Sequence, residues 1–300
     1  MNPTTTLSAL IAQSAQQLEA VHAAGQLSFG QGTTNADDEA AWLVLWKLGL
    51  PLDTDFSDPK HDVALTDEQV QDVQALIAQR IATRKPAAYL TQEAWLQGVS
   101  FYIDERAIVP RSLIAEALAD GSIDPWLHTD TSRVLDLCTG NGSLGILAAL
   151  AFPDVTVQGL DLSKDALAVA HINVERHGVQ SRVTLAESDG LQNADGVFDL
   201  ILCNPPYVNA QSMAELPAEF KAEPELALAG GTDGMDFIRT LLRDAPAHMS
   251  EHAVLVLEIG HERPYFEAAF PTLDVVWLST SAGDDQVLLV SREALQQLPR

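Results

Sequence analysis

The sequence predicts an α/β protein, a seven-stranded, mostly parallel, doubly wound sheet that follows a small helical domain and a β-hairpin linker. Three observations predict it. From residue 133 onward, short apolar runs alternate with amphipathic stretches, the pattern of repeated strand–helix units covered on both faces. Before residue 88 the apolar spacing is helical. Between these parts, two strand-like segments flank Gln97-Gly98.

Each element has its own signal. Residues 4–25 and 66–84 carry apolar side chains at helical spacing, and 35–48 forms a helix containing Trp42, Leu43, Leu45, Trp46 and Leu48. Thr66, with Glu68 and Gln69 close behind, marks a helix start, and Gly49 and Pro51 punctuate the end of the 35–48 helix. Trp42 and Trp46, four apart on one face, are expected in the core. The hairpin pairs Tyr89–Leu96 with Val99–Ile103. Strands are then expected at 133–138, 155–160, 182–186, 198–203, 252–259, 273–278 and 286–291. Helices are expected at 112–119, 143–151, 163–177, 235–249 and 263–269. The domains are thus 1–87, the linker 88–110 and the α/β domain 111–300.

Composition narrows the function classes. No apolar run reaches the ~20 residues of a membrane span, and residues 1–20 have no basic start or signal-peptide core, so a cytoplasmic protein is expected. Two cysteines, Cys138 and Cys203, make neither a disulfide framework nor a four-ligand zinc site, and the eight histidines show no metal-ligand spacing. His171 and His177 read as ordinary helix positions. Seventeen basic and 42 acidic residues give a net charge of −25, which repels nucleic-acid phosphates and favours a basic protein partner. No basic stripe relieves that repulsion, so direct DNA binding is not expected.

The candidate site lies at strand ends, where open α/β sheets bind ligands. Asn204-Pro205-Pro206-Tyr207 follows the apolar run 198–203. Each proline lacks an N–H and fixes φ, so the segment presents carbonyl acceptors, the Asn204 amide and the Tyr207 ring. That corner suits a planar –NH₂ on an sp² carbon, as in glutamine, asparagine, adenine or cytosine. Upstream, Asp136-Leu-Cys138-Thr139-Gly140-Asn141-Gly142 runs from a strand through a glycine loop into a helix whose N-terminus can face an anion. Asp161, about twenty residues on, is placed to accept ribose hydroxyls, or else to serve as a helix N-terminal acid. Ser188-Asp189 follows the third strand and could contact an adenine amino group or make a turn. The loop lacks the full G-x-G-x-x-G pattern, which argues against NAD and leaves S-adenosyl-L-methionine. The cofactor-binding candidates are therefore Asp136, Cys138, Thr139, Gly140, Asn141, Gly142, Asp161, Ser188, Asp189 and Asn204.

In this order, the loop 136–142, Asp161 and Asn204-Pro-Pro-Tyr resemble class I methyltransferases. Val109-Pro110-Arg111-Ser112 and the segments Glu223–Leu228 and Gly231–Gly234 narrow the resemblance to the protein-(glutamine-N5) methyltransferases of the HemK/Prm group. Pro110-Arg111-Ser112-Leu113-Ile114-Ala115-Glu116 and Cys138 in the loop resemble its PrmB branch, which acts on large-subunit ribosomal protein three, rather than the release-factor branch. The resemblance implies methyl transfer from S-adenosyl-L-methionine, without a metal, to a glutamine side-chain nitrogen of that basic ribosomal protein. It leaves release factors as the alternative and adenine in nucleic acid as a remoter one. It implies Asn204, Pro205 and Tyr207 as catalytic residues, and Asn204, Pro205, Pro206, Tyr207 and Arg111 as substrate-binding ones. Arg111 could instead anchor an acidic loop. Phe101, Pro110 and Arg111 fall in a segment that closes over cofactor and substrate in the family. Residues 1–87 would be the substrate-recognition domain. In such a fold, Cys138 and Cys203 end neighbouring strands, and their thiols are expected near each other as two small buried hydrophobes.

Overall fold

Capping chemistry sets the first helices. Thr6 caps α1 (Leu7–Ala23) by accepting the Ala9 N–H, and Asn35 caps α2 (Ala36–Lys47) by accepting that of Asp38. Three acids in the first turn of α2, Asp37, Asp38 and Glu39, complement its dipole. At α3 (Asp67–Thr83) the Thr66 hydroxyl accepts the Gln69 N–H while the Gln69 side chain accepts that of Thr66, a reciprocal capping box. We expect Thr66→Ala to destabilise this unit by about 1 kcal/mol in a urea titration.

The computed structural model describes residues 5–298, so residue 4 of the first expected helix and the ends of the outer domains lie outside the described residues. It comprises two compact units: the chain up to Glu93 together with Pro217–Ala222, and Ala94–Leu216 together with the chain from Glu223. In the first unit, Leu7, Leu10, Leu43, Leu45, Val73 and Ile77 are buried, as is Trp42, while Trp46 is half-buried. A charged cluster is buried with them. The Arg80 Nε donates to Glu39 at 2.8 Å, and Arg84 forks onto Glu219 at 2.6 and 2.9 Å. Burial pushes the Glu39 carboxyl up, and the Arg80 guanidinium opposes it.

The expected first hairpin strand is shortened. Tyr89 lies in α4 (Ala87–Thr91), which Pro86 opens and left-handed Gln92 closes, and the Thr91 hydroxyl donates back to Ala87 O. Pro86 presets the helical start and two alanines follow it, so a helical turn wins over extension. The hairpin is β1 (Glu93–Leu96) and β2 (Val99–Tyr102).

After α5 (Ile114–Ala119) come β3 (Arg133–Leu137), α6 (Ser143–Ala151), β4 (Thr156–Asp161), α7 (Lys164–Arg176), β5 (Val183–Glu187) and β6 (Phe198–Cys203). The chain continues through α8 (Ala210–Glu215), α9 (Ala218–Lys221), α10 (Asp236–Asp244), β7 (Met249–Glu258) and α11 (Arg263–Ala269). It ends with β8 (Val276–Thr280), β9 (Gly283–Ser291) and α12 (Arg292–Gln296). The short α8, α9 and α12 carry no run long enough to announce them in the sequence. The expected helix 235–249 breaks at Asp244, where Pro246 forces a 3₁₀ turn and β7 begins three residues earlier than expected.

The second unit holds a seven-stranded sheet in the order β5-β4-β3-β6-β7-β9-β8. The first five are parallel, and β9 runs antiparallel to both β7 and β8. Alternate residues feed two cores. Val134, Leu200 and Leu202 pack on one face with Ile146 and Val174, and Leu135, Leu137 and Ile201 on the other with Ile238 and Leu241. The order reverses between β3 and β6, where Leu137 pairs with Cys203. The carboxyl ends of β3, β4, β6 and β7 therefore open on one edge, the switch point where such sheets bind ligands. Among the described residues, no helix is long and apolar enough to cross a membrane.

Candidate active site

The loop after β3 is held in a tight left-handed path. Cys138, Gly140 and Gly142 all have positive φ, at 59°, 56° and 83°. A cysteine rarely adopts that conformation, so Cys138 carries strain of about 1 kcal/mol or more at the sheet's switch point. The buried Thr139 and Asn141 face inward. The Thr139 hydroxyl donates to Asp136 Oδ2, which also accepts the Gly145 N–H at 2.8 Å, and Asn141 Oδ1 accepts the Ser143 N–H at 3.2 Å. Gly145 permits this approach, since a Cβ there would sit 3.0 Å from the same oxygen. The first turn of α6 is thus satisfied in part by the protein itself.

Two buried polar atoms beside this loop have no partner: Asp136 Oδ1, an acceptor, and Asn141 Nδ2, a donor. Burial pushes the Asp136 carboxyl up to about 7, against the Thr139 and Gly145 hydrogen bonds. At the end of β4, Asp161 accepts the Gly140 N–H and the Ser163 N–H, both at 2.8 Å, while burial pushes its carboxyl up. It ties the glycine loop to the α7 terminus and stays half-buried. Ser188 spends its hydroxyl on a turn, donating to Gly190 O at 2.7 Å and accepting the Asn193 N–H, while Asp189 is exposed.

Asn204 leaves β6 beside this loop. It is half-buried, and its side-chain amide makes no hydrogen bond to any described residue. Pro205 is buried, and Pro206 and Tyr207 are half-buried. The Tyr207 ring lies over Gly260, where a Cβ would come within 2.5 Å of it, and its hydroxyl donates to Glu258 at 3.2 Å. Burial, with the Glu258 charge next, raises the Tyr207 phenol. Cys203 is buried, whereas Cys138 is half-buried and packs against the core cluster that holds Cys203; burial, with Cys138 nearby, pushes the Cys203 thiol up.

Arg111 does anchor an acid. It forks onto the buried Glu223 at 2.7 Å through both terminal nitrogens, and Glu223 also accepts the Val109 N–H. Phe101 is fully buried in the core against the His177 ring, so it offers no surface to a ligand. Glu223 opens one of the motif segments, but the sequence does not show its Arg111 partner, and it gives Glu258 and Gly260 no role. One signal for Glu258 exists: it is the only charged residue of the apolar run Ala253–Ile259, and it is buried.

A family model described as Methyltransferase small domain matches residues 123–265. The ribosomal protein uL3 glutamine methyltransferase of Bordetella pertussis is 51% identical over 275 residues, covering 91% of both chains. Its counterpart from Burkholderia pseudomallei is 50% identical over 280 residues and 90% of both. That of Neisseria meningitidis serogroup B is 47% identical, over 90% of this chain and 88% of that one. Among solved structures, the hMettl16 catalytic domain, in complex with MAT2A 3′UTR hairpin 6, matches with a TM-score of 0.52. That match covers 78% of this chain and 85% of the other at 11% identity, a likeness of fold alone. With such identity over nine-tenths of its length, and with a methyltransferase sheet carrying Asn-Pro-Pro-Tyr at its switch point, the chain belongs to the ribosomal protein uL3 glutamine methyltransferase family.

Proposed function

We propose that this methyltransferase transfers the methyl group of S-adenosyl-L-methionine to the side-chain nitrogen (N5) of a glutamine in ribosomal protein uL3. The observation that carries the reading is the Asn204 amide, half-buried at the end of β6 and without a partner among the described residues. It stands beside Pro205 and Pro206, whose carbonyl oxygens have no N–H of their own residue to compete with.

The residues around the loop fit the cofactor. Asp136 Oδ1 and Asn141 Nδ2 are an unpaired acceptor and an unpaired donor, which suit the ammonium and carboxylate of an amino-acid end. Asp161 would take ribose hydroxyls. When bound, S-adenosyl-L-methionine supplies a sulfonium-activated methyl electrophile.

The chain's own residues must orient a poor nucleophile, because an amide lone pair is delocalised into its carbonyl. Asn204 Oδ1 and the Pro205 carbonyl would accept the two amide hydrogens. They would thereby fix the nitrogen and favour the positive charge that develops on it. Tyr207 would pack on the amide plane and exclude water. The alkylated amide nitrogen is acidic enough to shed its proton without a strong base. The net charge of −25 favours encounter with a basic ribosomal protein, and the helical unit would recognise it.

The test is incubation of the enzyme and labelled cofactor with undermethylated ribosomal proteins, release factors and nucleic acid, followed by mass-spectrometric mapping. Label on one uL3 glutamine is expected. Label on a release-factor glutamine or on adenine instead would overturn the substrate assignment.

A further inference from the structure

Glu258 ends β7 one residue beyond the Leu257–Cys203 pair, which places it next to the Asn204 end of β6. It is 4% exposed, and burial raises its carboxyl. Each of its oxygens is committed to a different segment. Oε2 accepts the Ser112 hydroxyl at 2.6 Å and the Leu113 N–H at 2.9 Å, and Oε1 accepts the Tyr207 hydroxyl at 3.2 Å. Two residues further on, Gly260 leaves the space that the Tyr207 ring occupies.

Glu223, another buried acid of this unit, is paired with Arg111 in a salt bridge. Glu258 instead spends a buried carboxylate on two hydroxyls and an N–H, and one of those hydroxyls belongs to the motif itself. A buried carboxylate is expensive unless its hydrogen bonds do something a neutral side chain cannot. As an acceptor-only group it fixes the direction of the Tyr207 hydroxyl, and with Gly260 it defines where the ring stands.

We propose that Glu258 is a positioning residue for methyl transfer: it anchors the Tyr207 phenol to the Ser112-Leu113 segment and so holds the ring against the substrate amide. The proposal rests on the reading of Tyr207 given above. In this role Glu258 acts through Tyr207 and not on the cofactor or the substrate amide directly. Its loss therefore lowers kcat and spares cofactor affinity.

Four measurements decide it. Tyr207→Phe removes one buried hydroxyl and should fold; it is expected to lower kcat about tenfold with the S-adenosyl-L-methionine KM unchanged. Glu258→Gln is expected to do the same in the wild-type background and to have little further effect in the Tyr207→Phe background. Equal, additive losses in the two backgrounds, or a wild-type kcat for Tyr207→Phe, would overturn the proposal. The fourth measurement needs no activity. With 3-fluorotyrosine at the four tyrosines, the ¹⁹F resonance absent from Tyr207→Phe should shift in Glu258→Gln. An unmoved resonance sinks the anchor even if uL3 proves to be the wrong substrate. Failure of wild-type enzyme to label uL3 counts only against the function proposed above.

Discussion

Replacing Asn204 by alanine is expected to lower methyl transfer about 10²–10³-fold while leaving S-adenosyl-L-methionine binding and folding stability largely intact. The size follows from what the side chain does. A polar group held ready where charge develops contributes most in the transition state and little to ground-state binding. The sparing of stability follows from the fold. The Asn204 side chain has no partner among the described residues, so truncation strands no buried donor or acceptor. The backbone on its N-terminal side is fixed by β3 and β7, which pair with β6 up to Cys203. Single-turnover kinetics on a uL3 fragment, calorimetric cofactor titration and a thermal melt separate the three quantities. Undiminished turnover would remove the role given to Asn204, and a collapsed melting temperature would make it structural.

The parts of this molecule that the sequence makes legible are those whose physics is local. Continuous apolar runs place all seven strands of the main sheet within a few residues, and glycine spacing together with two prolines marks both loops at the switch point. Thr66 and Gln69 announce a capping box because its two hydrogen bonds close within three residues. What stays hidden depends on partners far along the chain. Arg111 could not be assigned between substrate and acid until Glu223, 112 residues away, was placed beside it. Glu258 shows in the sequence only as an acid in an apolar run, and its meaning comes from Ser112 and Tyr207. Ser188 turned to its own loop, since a short hydroxyl side chain finds backbone partners close at hand. Pro217–Ala222 packs with the first unit although the sequence gives no boundary there, because Glu219 is claimed by Arg84 135 residues upstream.

Asp136→Asn is expected to split stability from cofactor binding, and pH reveals the split. In the wild-type protein without cofactor, burial holds the Asp136 carboxyl near 7, against an ordinary value of 3.8. Between those values the folded state binds more protons than the unfolded one, so stability falls as pH rises from about 4 to about 7. A window of about three pH units is worth on the order of 4 kcal/mol. Asparagine abolishes this dependence. Its oxygen can still accept from Thr139 and Gly145, but its –NH₂ takes the place of the unpaired Oδ1 and costs about 1–3 kcal/mol as a buried donor. At pH 8 the cofactor-free variant should therefore melt a few degrees above wild type, and at pH 4, where the wild type has lost only about 0.6 kcal/mol to this titration, below it. Cofactor binding moves the other way. An ammonium favours the ionised carboxylate, so wild-type affinity should rise with pH between 6 and 8. The variant, which offers a donor where an acceptor is needed, should bind about 10–100-fold more weakly with no such rise. Melting curves of the cofactor-free proteins and calorimetric titrations across this pH range measure both. Parallel pH profiles for the two proteins would show that Asp136 is neither the titrating group nor the ammonium acceptor.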